Sequence, residues 1–273
     1  MLTQAVLSDK SVQRTQARLG RLVERFEPIS LSAMKNVSLL NRTDTKYVMS
    51  ASQLCSALAR LSERYRVLDI DATRLNHYQT LYFDTQDLAL YRRHHDGGRN
   101  RYKVRYREYV DSHLFYLEVK YKTNKNRTIK SRLRTPGVTT EFGARGVDFV
   151  RAHFPYDVGA LGPTLLNDFL RITLVSKFKV ERLTLDVNLQ FRHGGAGAAL
   201  PGVAIAEVKQ QGFSLQSDFI RQMRALDVRS TGFSKYCMGI SMLYEGVKRN
   251  NFKPRELLVK KIMQREAADE RVH

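Results

Sequence analysis

The sequence predicts an α+β fold: an antiparallel, eight-stranded β-barrel (a tunnel) with helices packed outside. Three observations lead there. Cationic and apolar residues alternate along several segments, most clearly in Arg101-Tyr102-Lys103-Val104-Arg105-Tyr106-Arg107. A period of two places such cations on one face of a strand and the apolar residues on the other. Successive strands are joined by short connections, which favours antiparallel neighbours. The apolar faces need cover, so the helical segments pack outside and the charged faces turn inward. Eight strands can close into a barrel, but a charged lumen is tolerable only if it is wet and binds something.

The elements run in order. Leu19, Leu22, Val23 and Phe26 recur at helical spacing, so the first 40 residues read as helical until Pro28 interrupts them. Residues 42–49 read as a strand with Arg42, Asp44 and Lys46 on one face. Ser50 or Ser52 caps a helix whose apolar positions are Leu54, Ala57, Leu58 and Leu61. Strands are expected at 65–70 and 74–84, then a short helix at 86–95 and a turn at Gly97-Gly98. A three-stranded meander covers 100–134 and stops at Pro136-Gly137. A helix over 140–152 is followed by a polar loop reaching 163 and strands at 169–178 and 181–191. In the last strand, Arg182, Thr184, Asp186 and Asn188 share one face, and Leu183, Leu185, Val187 and Leu189 the other. Gly194 to Ala198 reads as a flexible loop, Val203 to Gln210 as a strand. Leu215, Phe219, Met223 and Leu226 form a helical stripe, Ser234 caps the last core helix, and 252–267 reads as a charged, solvated helix.

Composition supports one folded domain: 42% of the 273 residues are hydrophobic and 10% aromatic, enough for a core. No linker, repeat or composition break divides the chain. The formal net charge of +19 needs a partner, because it imposes self-repulsion on the compact state. Nucleic acid, an anionic membrane surface and a phosphate-rich substrate are the candidates. Cys55 and Cys237 have no metal-ligand spacing and read as free thiols of a reducing compartment. No segment has the length of a transmembrane helix and the N-terminus lacks a secretory apolar core, so a cytoplasmic location is expected.

The cations suit phosphate. Arginine forks match phosphate oxygens in pairs, and lysine supplies a mobile point charge. Further runs are Glu118-Val119-Lys120-Tyr121-Lys122 and Lys130-Ser131-Arg132-Leu133-Arg134. Strand alternation alone adds Arg107 and Lys209 to the lumen. Glu118, Glu207 and Asp186 share these polar faces. Such carboxylates either hold Mg2+ or Mn2+ together with substrate phosphates and water, or temper the local positive charge as ion-pair partners. There is no phosphate-binding Gly-Lys-Ser/Thr loop and no Gly-x-Gly-x-x-Gly fingerprint. His94 and His95 diverge on a helix, which disfavours a shared metal. Aromatics interleave with the cations as on nucleic-acid surfaces, but no RNA-binding signature accompanies them, so nucleic acid is not the expected partner.

Eight segments in order carry a family resemblance: Arg42-x-Asp44-x-Lys46-Tyr47, Tyr82-Phe83-Asp84-Thr85, Lys103-Val104-Arg105, Glu118-Val119-Lys120, Lys130-Ser131-Arg132, Glu181 to Asp186, Glu207-Val208-Lys209 and Ser234-Lys235-Tyr236. Together they resemble the VTC domain, the catalytic module of the vacuolar transporter chaperone polyphosphate polymerase, within the triphosphate tunnel metalloenzyme (CYTH-like) superfamily. The resemblance spans 25–246, leaving a helical extension at 1–24 and a charged helical tail at 247–273. It implies a tunnel in which the γ-phosphate of ATP passes to inorganic polyphosphate with Mn2+ or Mg2+. It implies Lys46, Arg105, Arg182 and Lys235 as catalytic residues. Lys103, Lys120, Lys130, Arg132, Arg171 and Ser234 would bind phosphate, Glu207 would hold the metal, and Glu118 would be a second carboxylate. Asp44 stands where many superfamily members carry Glu, and the wider Glu-x-Glu-x-Lys signature is absent. Both departures favour the VTC branch over a plain triphosphatase. The membrane and phosphate-sensing domains of the yeast type are also absent, so coupling to a membrane would need a separate partner protein. Two other functions compete: hydrolysis of tripolyphosphate or nucleoside triphosphate in the same tunnel, and polyanion binding without turnover.

Overall fold

One sheet of eleven strands organises the computed structural model, which describes residues 9–35, 43–125, 127–212 and 214–269. Helix α1 (Asp9–Val23), strand β1 (Glu27–Ile29) and helix α2 (Leu31–Lys35) precede β2 (Thr43–Ser50). Then come α3 (Ala51–Leu58), β3 (Tyr65–Leu68), β4 (Asn76–Thr85) and α4 (Ala89–His95). The meander is β5 (Arg101–Tyr109), β6 (Leu114–Lys122) and β7 (Thr128–Thr135), followed by α5 (Gly143–His153). Two long strands, β8 (Leu161–Ser176) and β9 (Glu181–His193), lead into β10 (Ala196–Leu200) and β11 (Val203–Gln210). Helices α6 (Asp218–Ala225), α7 (Lys235–Leu243) and α8 (Lys253–Asp269) complete the described chain. Arg42, residues 36–40 of the expected N-terminal helix, and residues 1–8 lie outside the described residues.

The main path of the sheet runs β2-β11-β9-β8-β4-β5-β6-β7, with every neighbouring pair antiparallel. These eight strands are the tunnel wall. Among the described residues β2 and β7 do not pair, so the wall is a curled sheet with a seam and not a hydrogen-bonded cylinder. Its curvature is evident from side chains: Lys46 of β2 and Lys120 of β6 line one cavity although β11, β9, β8, β4 and β5 separate them in the sheet.

Alternation places the cover where expected on the convex face. Leu183, Leu185 and Val187 of β9 and Ala204, Ala206 and Val208 of β11 pack with Leu19 and Val23 of α1, Leu54 and Leu58 of α3, and Phe219 and Met223 of α6. Val104, Tyr106, Leu117 and Val119 of the meander pack with Val150 of α5. Ser50 caps α3 through a reciprocal pair of bonds with Gln53.

The concave face holds a departure. The alternation of β9 does not run through to Leu189. Asn188 has φ +53 at an irregularity where β9 carries one more residue than β8 between the pairs Leu170↔Val187 and Asp168↔Gln190. Asparagine tolerates this left-handed conformation, and a bulge reverses the facing of the residues after it. Leu189 and Phe191 therefore join Leu165, Phe169 and Ile205 in an apolar cluster that α7 and α8 cover with Tyr236, Ile240, Val259 and Ile262. Thus α7 fills one part of the concave side, while α1, α3, α5 and α6 lie on the convex side.

Smaller differences have local causes. Pro28 sits in β1, which pairs parallel with β3 over three residues; proline is tolerated on such a short edge strand. Strand β8 begins at Leu161, with Pro163 opposite Phe83 at a register shift, so residues read as loop are strand. The Gly194-Gly195 tract is a tight hairpin joining β9 and β10: both glycines have positive φ and His193 pairs with Ala196. The C-terminal helix buries Val259 and Ile262 and is not simply a solvated face.

Candidate functional site

Three carboxylates on the concave face each gather two cations. Glu118, opposite Arg105 in the β5–β6 register, accepts Arg105 Nε at 2.9 Å and Nη2 at 2.7 Å and pairs with Lys130 of β7. Asp186 of β9 accepts Arg171 Nε at 2.5 Å and Nη2 at 2.8 Å and also pairs with Lys235, the first residue of α7. Glu207 of β11 pairs with Lys209 of its own strand and lies 3.6 Å from Lys46 of β2. These charge-assisted contacts hold the cations in register, and each cation keeps donors to spare.

Aromatic faces support several of these cations and two more, Arg107 and Arg132. Arg105 lies over Tyr82 at 5.8 Å, Arg107 over Tyr78 at 5.7 Å and Arg132 over Tyr116 at 4.9 Å from the ring centres. Arg171 and Lys235 both stand over Phe169, at 5.2 and 4.5 Å. Lys103 donates to Ser234 Oγ at 2.9 Å, and the same hydroxyl caps α7 by accepting from Cys237 N. Lys46 donates to the Phe233 carbonyl at 3.0 Å. Arg182 pairs in register with Lys209 across β9 and β11.

A cavity of about 810 Å3 opens beside this array, lined by Lys46, Lys103, Lys120, Glu207 and Ser234 among the expected residues. Arg105, Arg107, Glu118, Arg171, Arg182, Lys209 and Lys235 share the concave face without lining that cavity, and Lys130 and Arg132 stand on the exposed edge strand β7. Arg101 and Lys122 also line the cavity. They carry the same alternation as Lys103 and Lys120, so the sequence held their signal. Asp44 lines it too, from the first family segment. Arg255, held by the Gly232 carbonyl at 2.8 Å, arrives from α8 and had no signal in the sequence.

The electrostatics reflect burial among like charges. Burial, opposed by Glu207 and reinforced by Lys103, Lys46 and Arg105, lowers Lys120 to about 7. Burial lowers Lys103 to about 8, with Lys46, Arg105 and Arg101 adding to the effect. Lys130 is partly exposed on β7, yet loss of hydration on its protein side, reinforced by Arg105 and Arg107, lowers it to about 8 against the opposing pull of Glu118. For the acids, burial would raise Glu118 and Asp186, but Arg105, Arg107 and Lys130 outweigh it for Glu118, and Arg171 and Lys235 for Asp186. Burial opposes ionisation of Glu207 as well, yet Lys209 and Lys46 hold it well below the usual carboxylate range. His94 is lowered to about 2, first by burial and then by Lys103 and Arg101, so it is neutral beside the Cys237 thiol at 3.0 Å.

The donor set bears on a metal ion. Glu207 and Asp44 present hard oxygens to the cavity, a set that suits Mg2+ or Mn2+ once phosphate oxygens and water complete the shell. Among the described residues no group of three or more His, Cys, Asp or Glu could hold a metal by itself. Glu118 and Glu207 are each paired with two cations, but Glu207 lines the cavity whereas Glu118 has no exposed surface and does not, so the geometry of Glu118 is that of a counter-ion to cations.

The family model described as the VTC domain matches residues 41–142 and 156–244. No curated protein matches the chain. Among solved structures, a candidate adenylate cyclase from Bacillus halodurans aligns at 13% identity and a TM-score of 0.48, covering 71% of this chain and 94% of its own. A candidate adenylate cyclase from Vibrio parahaemolyticus aligns at 12% identity and 0.42, covering 74% of this chain and 98% of its own. A candidate adenylyl cyclase from Hippeastrum, reported with a dominant triphosphatase activity, aligns at 13% identity and 0.41, covering 75% and 98%. No described helix is long and apolar enough to cross a membrane.

Proposed function

The chain belongs to the VTC-domain family, and from that premise we propose that it is a metal-dependent inorganic polyphosphate polymerase that transfers the γ-phosphate of ATP to a polyphosphate chain. The observation that carries this reading is the convergence of lysines and arginines from β2, β5, β6, β8, β9, β11 and α7 on one concave face beside a cavity of about 810 Å3. Phosphoryl transfer asks the protein chiefly for in-line positioning and charge neutralisation, since the nucleophile is an oxygen of the acceptor. A row of cations serves a chain whose every unit is anionic. It holds donor and acceptor phosphates in one channel without a base-specific contact.

The residues divide the work. Arg105 and Arg171 are pre-oriented by Glu118 and Asp186, so their remaining N–H groups meet charge developing on the transferred group with little reorganisation. Lys46, Arg182 and Lys235 complete the proposed catalytic set. Lys103, Lys120, Lys130, Arg132, Arg107, Lys209 and Ser234 hold the chain. Glu207, with Asp44 on the neighbouring strand, would hold Mn2+ or Mg2+, which when bound neutralises triphosphate charge. The proposed tunnel unit is 25–246, although Phe252 and Arg255 beyond it also line the cavity. A membrane role would come through a separate partner.

Incubating the purified protein with ATP and each metal, then sizing the phosphate products, tests the reading. Chain growth is expected. Orthophosphate without growth assigns water as acceptor and makes the protein a hydrolase. Phosphate binding with no turnover under any metal removes the enzymatic reading altogether.

A further inference from the structure

Away from the tunnel, α1 carries a second concentration of arginine. Arg14, Arg18 and Arg21 recur at helical spacing, and Arg25 continues the row just past the helix end. At 100° per residue these four fall within an arc of about 60°. The opposite stripe, Leu19, Val23 and Phe26, is consumed by the core. Arg60, in the turn after α3, joins from the neighbouring helix. Arg18, Arg21, Arg25 and Arg60 surround a cavity of about 450 Å3 whose apolar lining includes Leu22 and Ala59. All five arginines are exposed, and among the described residues none of their side chains makes a hydrogen bond or ion pair. Other surface arginines nearby do: Arg66 pairs with Glu27, and Arg74 with Asp69. Among the described residues no carboxylate lines the cleft; holding several guanidiniums there without an ion-pair partner raises the free energy of the unliganded surface, and an anion relieves it.

We propose that this α1–α3 cleft is a second, external binding site for an inorganic oligophosphate chain. Arginine forks on the rim match successive phosphate groups in pairs. The cleft offers no aromatic ring for a base to stack on, which disfavours nucleic acid. The stripe Leu19, Val23 and Phe26 of α1 is already buried, which leaves no broad apolar face to enter a bilayer. The choice of ligand rests on the polyphosphate reading of the tunnel; the site itself does not. Such a site would hold the substrate or product chain outside the tunnel.

The test is binding of labelled linear polyphosphate to the full chain, followed by anisotropy. K103A/K120A, which breaks no ion pair of a buried carboxylate, weakens binding in the tunnel cavity, and residual binding is expected to remain. Adding R18S/R21S/R25S/R60S to that background should weaken the residual affinity roughly tenfold or more and flatten its salt dependence. The corresponding lysine replacements should recover only part of it. The pair R18S/R60S, with one change on α1 and one in the turn after α3, serves if the fourfold variant loses its folded circular-dichroism spectrum. Unchanged residual binding in either variant overturns the proposal, as does tighter binding of single-stranded RNA or anionic vesicles than of polyphosphate. A protein that makes no polyphosphate yet keeps this residual binding sinks the polymerase reading alone.

Discussion

At the scale of single residues, the carboxylates divide by environment. Glu118 is fully buried between Arg105 and Lys130, whereas Glu207 opens on the cavity. Removing one partner of a buried pair strands the other charge, at roughly 3–5 kcal/mol. Glu118→Gln should therefore lower unfolding stability by about that amount in denaturant titrations. Glu207→Gln should instead lower turnover and raise the metal concentration needed for half-maximal rate. Equal stability losses for the two would refute the division. The lysines make a pH prediction. Lys120 is held at about 7, against an ordinary value of 10.5. Its unfolded form thus binds the proton more readily than its folded form between those values, so its contribution makes stability rise with pH across that window. Below it, the full cost of burying the charge is present. A bound phosphate chain favours the charged lysine, so polyphosphate binding near pH 8 should take up protons. Calorimetry in buffers of different ionisation heat measures this; proton release would contradict it. Lys103 and Lys130, both held at about 8, act in the same direction.

At the scale of elements, α7 is the piece that the strand pattern could not place. Its Gly239 sits against the concave face so closely that a Cβ would lie 2.4 Å from Leu165 Cδ2 and 2.8 Å from Phe191 Cδ1. Gly239→Ala should cost about 1–3 kcal/mol through overpacking. Because α7 begins with Ser234 and Lys235, it should also weaken phosphate binding; thermal melts and binding titrations on the same sample check both. A buried carboxylate ties this helix to α4. Asp84 accepts the Leu90 and Tyr91 backbone N–H groups at 2.9 Å and the Tyr236 hydroxyl. This gives the Tyr82-Phe83-Asp84-Thr85 segment a structural use that strand periodicity did not reveal. The bulge at Asn188 has a similar status. Its residue type permits φ +53, but only the mismatch in length between β8 and β9 requires it.

At the scale of the molecule, the formal charge of +19 includes the lysines and arginines of the tunnel face and the arginines of the α1–α3 cleft. Phosphate-chain affinity should fall as salt rises, because bound cations are displaced from the polyanion. Chelating the metal should stop turnover while leaving much of that affinity, since lysines and arginines hold the chain. Loss of both together would assign the metal to binding and not to the transfer step. The curl of the sheet is what lets β2 and β6 serve one cavity.

Period-two alternation in the sequence determined which strand residues share the cationic face up to the bulge in β9, including Arg107 and Lys209, because side-chain direction in a regular strand is a local property. The ordered short segments between 42 and 236 determined the family. Features beyond local pattern were decided by the tertiary structure. The curl and seam of the sheet, the bulge that turns Leu189 inward, the pairing of each carboxylate with two cations from different elements, and the arrival of Arg255 all depend on contacts between residues far apart in the chain. No spacing along the sequence encodes those distances.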